Sequence, residues 1–173
     1  DIIGAQVCGY RAPSFAVNND ILEIIRQTGH LYDSSYNSFA MHGRYGRIDL
    51  SGCQKTGAAF RISHDFFELP LSNLSIGENV FPLGGGGYFR LLPFFLFKMG
   101  MQRVLDQDNA FIFYSHPWEF DPDQPRVKQA PAGFRFRHYI NLHRTHKKLQ
   151  ALLNRFQHLK FITCMDYLAH ERT

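Results

Sequence analysis

His116, in Phe113-Tyr114-Ser115-His116-Pro117-Trp118-Glu119, is the residue with the plainest chemical use. The apolar run Phe111-Ile112-Phe113-Tyr114 reads as a short buried strand that ends at this histidine, and Pro117 stops it. A titratable ring at the carboxyl end of a buried strand is where α/β barrels place their chemistry. Histidine titrates nearest neutral pH, which suits it to proton transfer. The same position would equally suit a histidine that caps the strand by bonding a backbone carbonyl. A second strand end carries an arginine. Val7-Cys8-Gly9-Tyr10 reads as a strand, and Arg11-Ala12-Pro13-Ser14-Phe15 follows it. The planar fork of Arg11 can hold a carboxylate, and Pro13 fixes the turn. Read alone, Arg11 would also serve as a surface residue at a loop mouth.

These residues must be positioned by the elements around them. Asn18 or Asn19 can cap a helix running to residue 27, with Ile21, Leu22, Ile24 and Ile25 as its apolar face. Gly29 suits a left-handed end to it. Leu31-Tyr32-Asp33 reads as a strand, then a long loop runs to about Phe60. Phe66-Phe67-Glu68-Leu69 is a strand ended by Pro70. The glycines at 84–87 read as a flexible turn before a helix at about 92–105, with Pro93 in its first turn. They lack the Gly-Lys-Ser/Thr ending of a phosphate loop, so a close backbone approach is the better use for them. Residues 117–133 are irregular and Pro-rich. A helix at about 139–156 follows, with Leu142, Leu149, Leu152, Leu153 and Phe156 at helical spacing. A strand at 160–163 and a helix at 165–170 close the chain. Strands alternating with helices predict an α/β fold with a parallel sheet.

Five segments occur in a telling order: Gly9-Tyr10-Arg11-Ala12-Pro13-Ser14-Phe15, Tyr32-Asp33-Ser34-Ser35, Gly85-Gly86-Gly87-Tyr88-Phe89-Arg90, His116-Pro117-Trp118-Glu119 and Asp121-Pro122-Asp123-Gln124-Pro125-Arg126. Arg-x-Pro after one strand and a strand-terminal His after a later one resemble the third and fifth motifs of the polysaccharide deacetylases. These form carbohydrate esterase family 4, the chitooligosaccharide deacetylase homology domain. The ordered set is similar to the bacterial exopolysaccharide-associated branch, whose members carry an extra carboxyl-terminal region. The resemblance covers nearly all of the 173 residues.

The resemblance implies an incomplete deacetylase-type (β/α) barrel with parallel strands and flanking helices. Residues 1–173 would be its carboxyl-terminal part, with an irregular region at 117–138 and a helix-strand-helix extension at 139–173. The implied activity is hydrolysis of N-acetyl groups on an exopolysaccharide, in a bacterial cytoplasm or cell envelope. In that family a divalent metal, usually zinc, polarises the acetyl carbonyl, an aspartate takes a proton from water, and a histidine protonates the departing amine. His116 would be that acid, and Arg11 would hold the base aspartate. The backbone N–H of Ser14 would help bind the oxyanion. Tyr10, Pro13, Ser14, Asp33, Tyr88, Trp118 and Glu119 would line the substrate. Trp118 would stack on a sugar ring or fill core, and Glu119 would orient the His116 ring or remain a loop carboxylate.

The sequence also departs from the family. Asp33-Ser34-Ser35 lacks the second Asp and the Trp of the fourth motif. The aspartate-rich strand end and the His-x-x-x-His pair that hold the metal are missing, so the chain is expected to supply no metal ligands. It resembles the second half of an enzyme and is expected to be inactive alone. His143 and His146 are the close pair, but they fall far after Arg-x-Pro in a basic run and read as surface residues. A noncatalytic carbohydrate-binding module, or a relic of a deacetylase, is the competing reading.

Composition sets further bounds. The 17 Phe and 8 Tyr are numerous, and core packing accounts for most of them. The net charge is +4, with positive charge gathered at 135–160 and no aromatic-interleaved basic groove visible in the linear order, so nucleic-acid binding is not expected. Cys8, Cys53 and Cys164 have no CxxC spacing, which argues against a disulfide framework or structural zinc, and Cys8 reads as a small core residue. The apolar run at 91–97 is too short to span a bilayer.

Overall fold

The structure is a computed structural model and describes residues 3–39 and 47–171. Strand β1 (Gly9–Tyr10) is shorter than expected. Cys8 lies just ahead of it and is partly exposed, so it is not a core residue. Helix α1 (Asn19–Gln27) follows, and the Asn18 Oδ1 accepts from the Ile21 N–H at 2.9 Å to cap it. Gly29 closes it at φ +87°, a conformation that carries no Cβ penalty in glycine. Of the four aliphatic residues expected to be buried, Leu22 and Ile25 are, while Ile21 and Ile24 are exposed. The buried face is one row, at i and i+3, because α1 meets a narrow cluster that includes Val17 and Phe66.

Strand β2 (Tyr32–Asp33) pairs in parallel with β1. The stretch expected as a loop to Phe60 contains a hairpin of β3 (Gln54–Thr56) and β4 (Ala59–Arg61), turned by Gly57 at φ +56°. Strand β5 (Phe67–Glu68) completes a five-stranded sheet ordered β1-β2-β5-β4-β3. Strands β1, β2 and β5 are parallel, and β4 and β3 extend the sheet antiparallel. The sheet is therefore mixed rather than wholly parallel. A separate hairpin of β6 (Asn73–Ile76) and β7 (Asn79–Pro82) follows. Its Asn and Ser residues hide it from propensity, and cross-strand pairing overrides that preference.

Helices α2 (Gly86–Leu91) and α3 (Phe94–Asp108) come next, the latter starting after Pro93 and ending at Asn109, φ 53°. The run at 111–114 is extended but joins no sheet; it makes one parallel bridge, Tyr114 to Gly85. Its side chains still alternate. Phe111 and Phe113 pack on a cluster containing Phe89, Phe97 and Met101, whereas Ile112 packs on the cluster of Phe67, Leu69 and Leu168. Phe89 and Phe97 are fully buried and meet edge to face at 4.9 Å; each contributes roughly 1.5–3 kcal/mol over an exposed position.

The expected helix at 139–156 is instead two. Helix α4 (Ala132–Tyr139) ends at Ile140, Asn141 takes φ 54°, and α5 (Leu142–Arg155) follows. Residues 160–163, expected as a strand, pair with none among the described residues, and α6 (Cys164–Glu171) packs Leu168 under the sheet. No helix among the described residues is long and apolar enough to cross a membrane.

Candidate active site

The Arg11 loop is built on strain and on a serine pair. Ser14 and Phe15 both adopt left-handed φ, 54° and 56°, which costs roughly 1–2 kcal/mol each for residues with a Cβ. Arg11 donates through Nε to the Ser34 carbonyl at 2.7 Å and through Nη2 to Ser34 Oγ at 2.5 Å. Ser34 Oγ donates in turn to the Leu69 carbonyl, and Ser35 Oγ accepts from the Ala12 N–H at 2.8 Å. Arg11 is thus held against the ends of β1 and β2.

Tyr114 joins this loop to His116. The Arg11 guanidinium lies 5.4 Å from the Tyr114 ring centre, the Phe15 ring meets it edge-on at 5.5 Å, and the His116 ring does so at 5.7 Å. Arg11 and His116 therefore flank one ring, each at the end of an extended segment. Sequence reasoning placed Tyr114 in the strand but gave it no part in the site.

His116 is exposed, and its backbone is fixed. Its N–H donates to Glu119 Oε2 at 2.8 Å, while the Glu119 N–H donates to the His116 carbonyl at 3.0 Å. Glu119 thus orients the main chain of His116 rather than its ring. Glu119 itself is buried and pairs with Arg90, whose Nε and Nη2 each stand 3.2 Å from Oε1. Arg90 also donates to the carbonyls of His138 at 2.9 Å and Ile140 at 2.8 Å, tying α2 to the α4–α5 junction.

The glycine run explains this close packing. A Cβ on Gly84 would lie 2.7 Å from the Ile112 carbonyl oxygen, and one on Gly86 would lie 2.1 Å from Glu119 Oε2. Far from being a flexible turn, the run is the place where three segments touch, and its second half starts α2.

The remaining expected residues fall in different places. Tyr10 and Tyr88 are both 37% exposed, the first edge-on to His30 and the second to Phe39. Pro13 is exposed at the start of the 3-10 turn. Asp33 is fully buried, with its carboxylate accepting from the Ser35 N–H and Oγ at 2.9 Å each, so it faces the interior and not a substrate. Trp118 is already stacked: on His138 at 4.1 Å, on His116 at 5.9 Å, with Arg90 over the ring at 5.1 Å. Burial and the nearby Arg90 push the His138 imidazole down. Neither Arg90 nor His138 was singled out from sequence. Arg90 had a signal, as the last residue of the glycine-rich motif, and His138 had none.

Tyr88, His116, Trp118 and Glu119 line a trough of about 490 Å³ between α2 and α4. It continues into a second hollow of about 380 Å³ through the shared walls of Val127, Arg135, Phe136, Tyr139 and Ile140. Folding therefore builds a basic, aromatic trough that the linear order does not show. Among the described residues no three His, Cys, Asp or Glu side chains come together as a metal site, and His143 and His146 are exposed on α5. These side chains do not fit a metal centre by themselves.

A mixed sheet with helices around it, and a surface trough beside His116, define an α/β protein with a surface groove. A protein-family profile described as Domain of unknown function (DUF3473) matches residues 34–169, and the chain belongs to that family. The match contains His116, Arg90, Glu119 and the whole trough, while the Arg11 loop precedes it. No curated protein and no solved structure matches the chain.

Proposed function

We propose that this chain carries the general acid and a positioning arginine of a polysaccharide N-deacetylase, within an incomplete (β/α) barrel. Tyr114 carries the reading, because its ring meets both Arg11 and His116. Hydrolysis of an N-acetyl group breaks the C–N bond, gives acetate, and leaves an amine that must take a proton. His116, exposed at the trough with its backbone fixed by Glu119, supplies that proton. Arg11 spends Nε and Nη2 on Ser34, which leaves Nη1 to orient a carboxylate base. The resemblance implies that this base and a divalent metal, usually zinc, would be supplied by the complete protein.

Acetate release from N-acetylated oligosaccharides tests the reading in the complete protein that bears this segment. His116→Ala is expected to lower turnover about a hundredfold or more, the scale of general acid catalysis. An undiminished rate would reduce His116 to a strand cap. Sugar binding with no acetate release would identify a noncatalytic carbohydrate-binding module instead.

A further inference from the structure

The outer half of the trough has a charge pattern that the acid and the arginine do not use. Its walls are the irregular arm after Trp118 and helix α4. The arm is fixed to α4 by Gln124, whose Oε1 meets His138 Nε2 at 2.8 Å, and by Tyr139, whose hydroxyl accepts from the Val127 N–H at 2.9 Å. This pinning brings Arg126 and Lys128 of the arm to the same hollow as Arg135 of α4. All three are exposed, and none forms a salt bridge among the described residues. Among the described residues no Asp or Glu lines that hollow. In the inner half Glu119 is the lining acid among them, and Arg90 already neutralises it. Mutually repelling cations kept together along a groove, with no anion of their own, are complementary to a linear anion.

We propose that the trough binds an acidic polysaccharide, its uronic acid carboxylates held by Arg126, Lys128 and Arg135 while an N-acetyl sugar lies at His116. The proposal deepens the deacetylase reading and rests on it for the N-acetyl unit. Guanidinium groups match carboxylates bidentately, and the joined hollows are within the size range of ligand sites. Nucleic acid fits less well. Stacking of successive bases needs several open ring faces, but Trp118 is stacked on His138, Arg126 lies 4.4 Å over Tyr139 and Arg137 lies over Phe134, which leaves Phe136 as the open ring of the outer hollow.

Titration of the full chain with four probes of matched length decides it: an oligomer of N-acetylglucosamine, one of galacturonic acid, one alternating glucuronic acid with N-acetylglucosamine, and oligothymidylate. The alternating oligomer is expected to bind tightest, about tenfold above the neutral one, and to lose that margin as salt rises. Replacing Arg126 and Lys128, which line the outer hollow alone, together by Gln should remove most of that factor and spare the neutral probe; the salt series on the unaltered chain gives an independent readout. Equal binding of neutral and alternating oligomers would overturn the proposal and leave the deacetylase reading standing. Equal binding of the galacturonic acid and alternating oligomers, with none of the neutral one, would support the acidic trough and sink the deacetylase reading. Oligothymidylate binding as tightly as the alternating oligomer, or no binding by any probe, would overturn the proposal.

Discussion

Two regions of this molecule bury carboxylates in opposite ways. Under the trough, Glu119 is paired with Arg90 and accepts from the His116 N–H, so its charge is met on both oxygens. In the sheet, Asp33 and Glu68 stand side by side on β2 and β5, both fully buried. Asp33 is satisfied by Ser35, and Glu68 Oε1 accepts from the Tyr36 N–H at 2.8 Å, but Glu68 Oε2 has no partner. No cation among the described residues bonds to either. Burial, then the Asp33 charge beside it, pushes the Glu68 carboxyl well up. A proton on Glu68 donated toward Asp33 satisfies both groups, so a proton does in the sheet what Arg90 does under the trough. The first arrangement ties the carboxylate to a fixed cation. The second makes the sheet sensitive to pH.

The largest expected effect comes from breaking the ion pair. Glu119→Ala leaves the buried Arg90 charge without a counter-ion and should cost about 3–5 kcal/mol in urea unfolding. Replacing both partners by apolar residues of similar size should cost less than the single change. A single change as mild as the double would show that the pair is not truly desolvated.

Gly86→Ala is next. Its Cβ would fall on Glu119 Oε2, so either the helix or the carboxylate must shift, at about 1–3 kcal/mol. In a Glu119→Ala background most of that cost should vanish, and a double-mutant cycle measures the coupling. Additive losses would separate Gly86 from the ion pair.

Glu68→Gln tests the other carboxylate site. The folded Glu68 holds its proton above the ordinary value of 4.5, at which the unfolded chain releases it. Its contribution to stability is therefore present below that value and is lost as pH rises through the folded one. Gln cannot titrate, and its amide N–H can donate to Asp33. The urea midpoint of the variant should gain on the unaltered protein as pH climbs above 4.5. Parallel pH profiles would mean that Glu68 holds no proton.

The smallest effect is expected at the exposed pair of Glu23 and Arg26, 2.7 Å apart on α1. Arg26 holds the Glu23 carboxyl down to about 2, yet both groups are in water. Glu23→Gln should leave the urea midpoint unchanged within error. A clear loss there would mean that burial does not set the difference between the ion pairs.

Much of the local structure was legible. An asparagine capping α1 and Gly29 ending it followed from residue types whose effects are local, whereas the run before His116, expected as a buried strand, is half-buried and makes a single bridge. Other elements were not. The β6–β7 hairpin is rich in Asn and Ser, and long-range pairing overrides their propensity. The break at Asn141 splits a continuous helical pattern, and there Arg90 takes up the carbonyls of His138 and Ile140. His116, Arg11 and Trp118 stood out by type and neighbours, and Tyr114 and the trough bring them near one another, but Asp33, expected to line the substrate, is an interior acceptor.

The sequence by itself determined which chemistry-bearing residues follow apolar runs, and where helices such as α1 start and stop. Those are properties of a residue and its near neighbours, set by φ preference, capping and hydrophobic period. Only the tertiary structure decided which of those residues meet. It set Tyr114 between Arg11 and His116, gave Glu119 to Arg90, left Glu68 beside Asp33, and closed the arm onto α4 to make one basic trough. Such pairings depend on segments distant in sequence and on the room that small residues leave, as at Gly86, where a single methyl would push the carboxylate away.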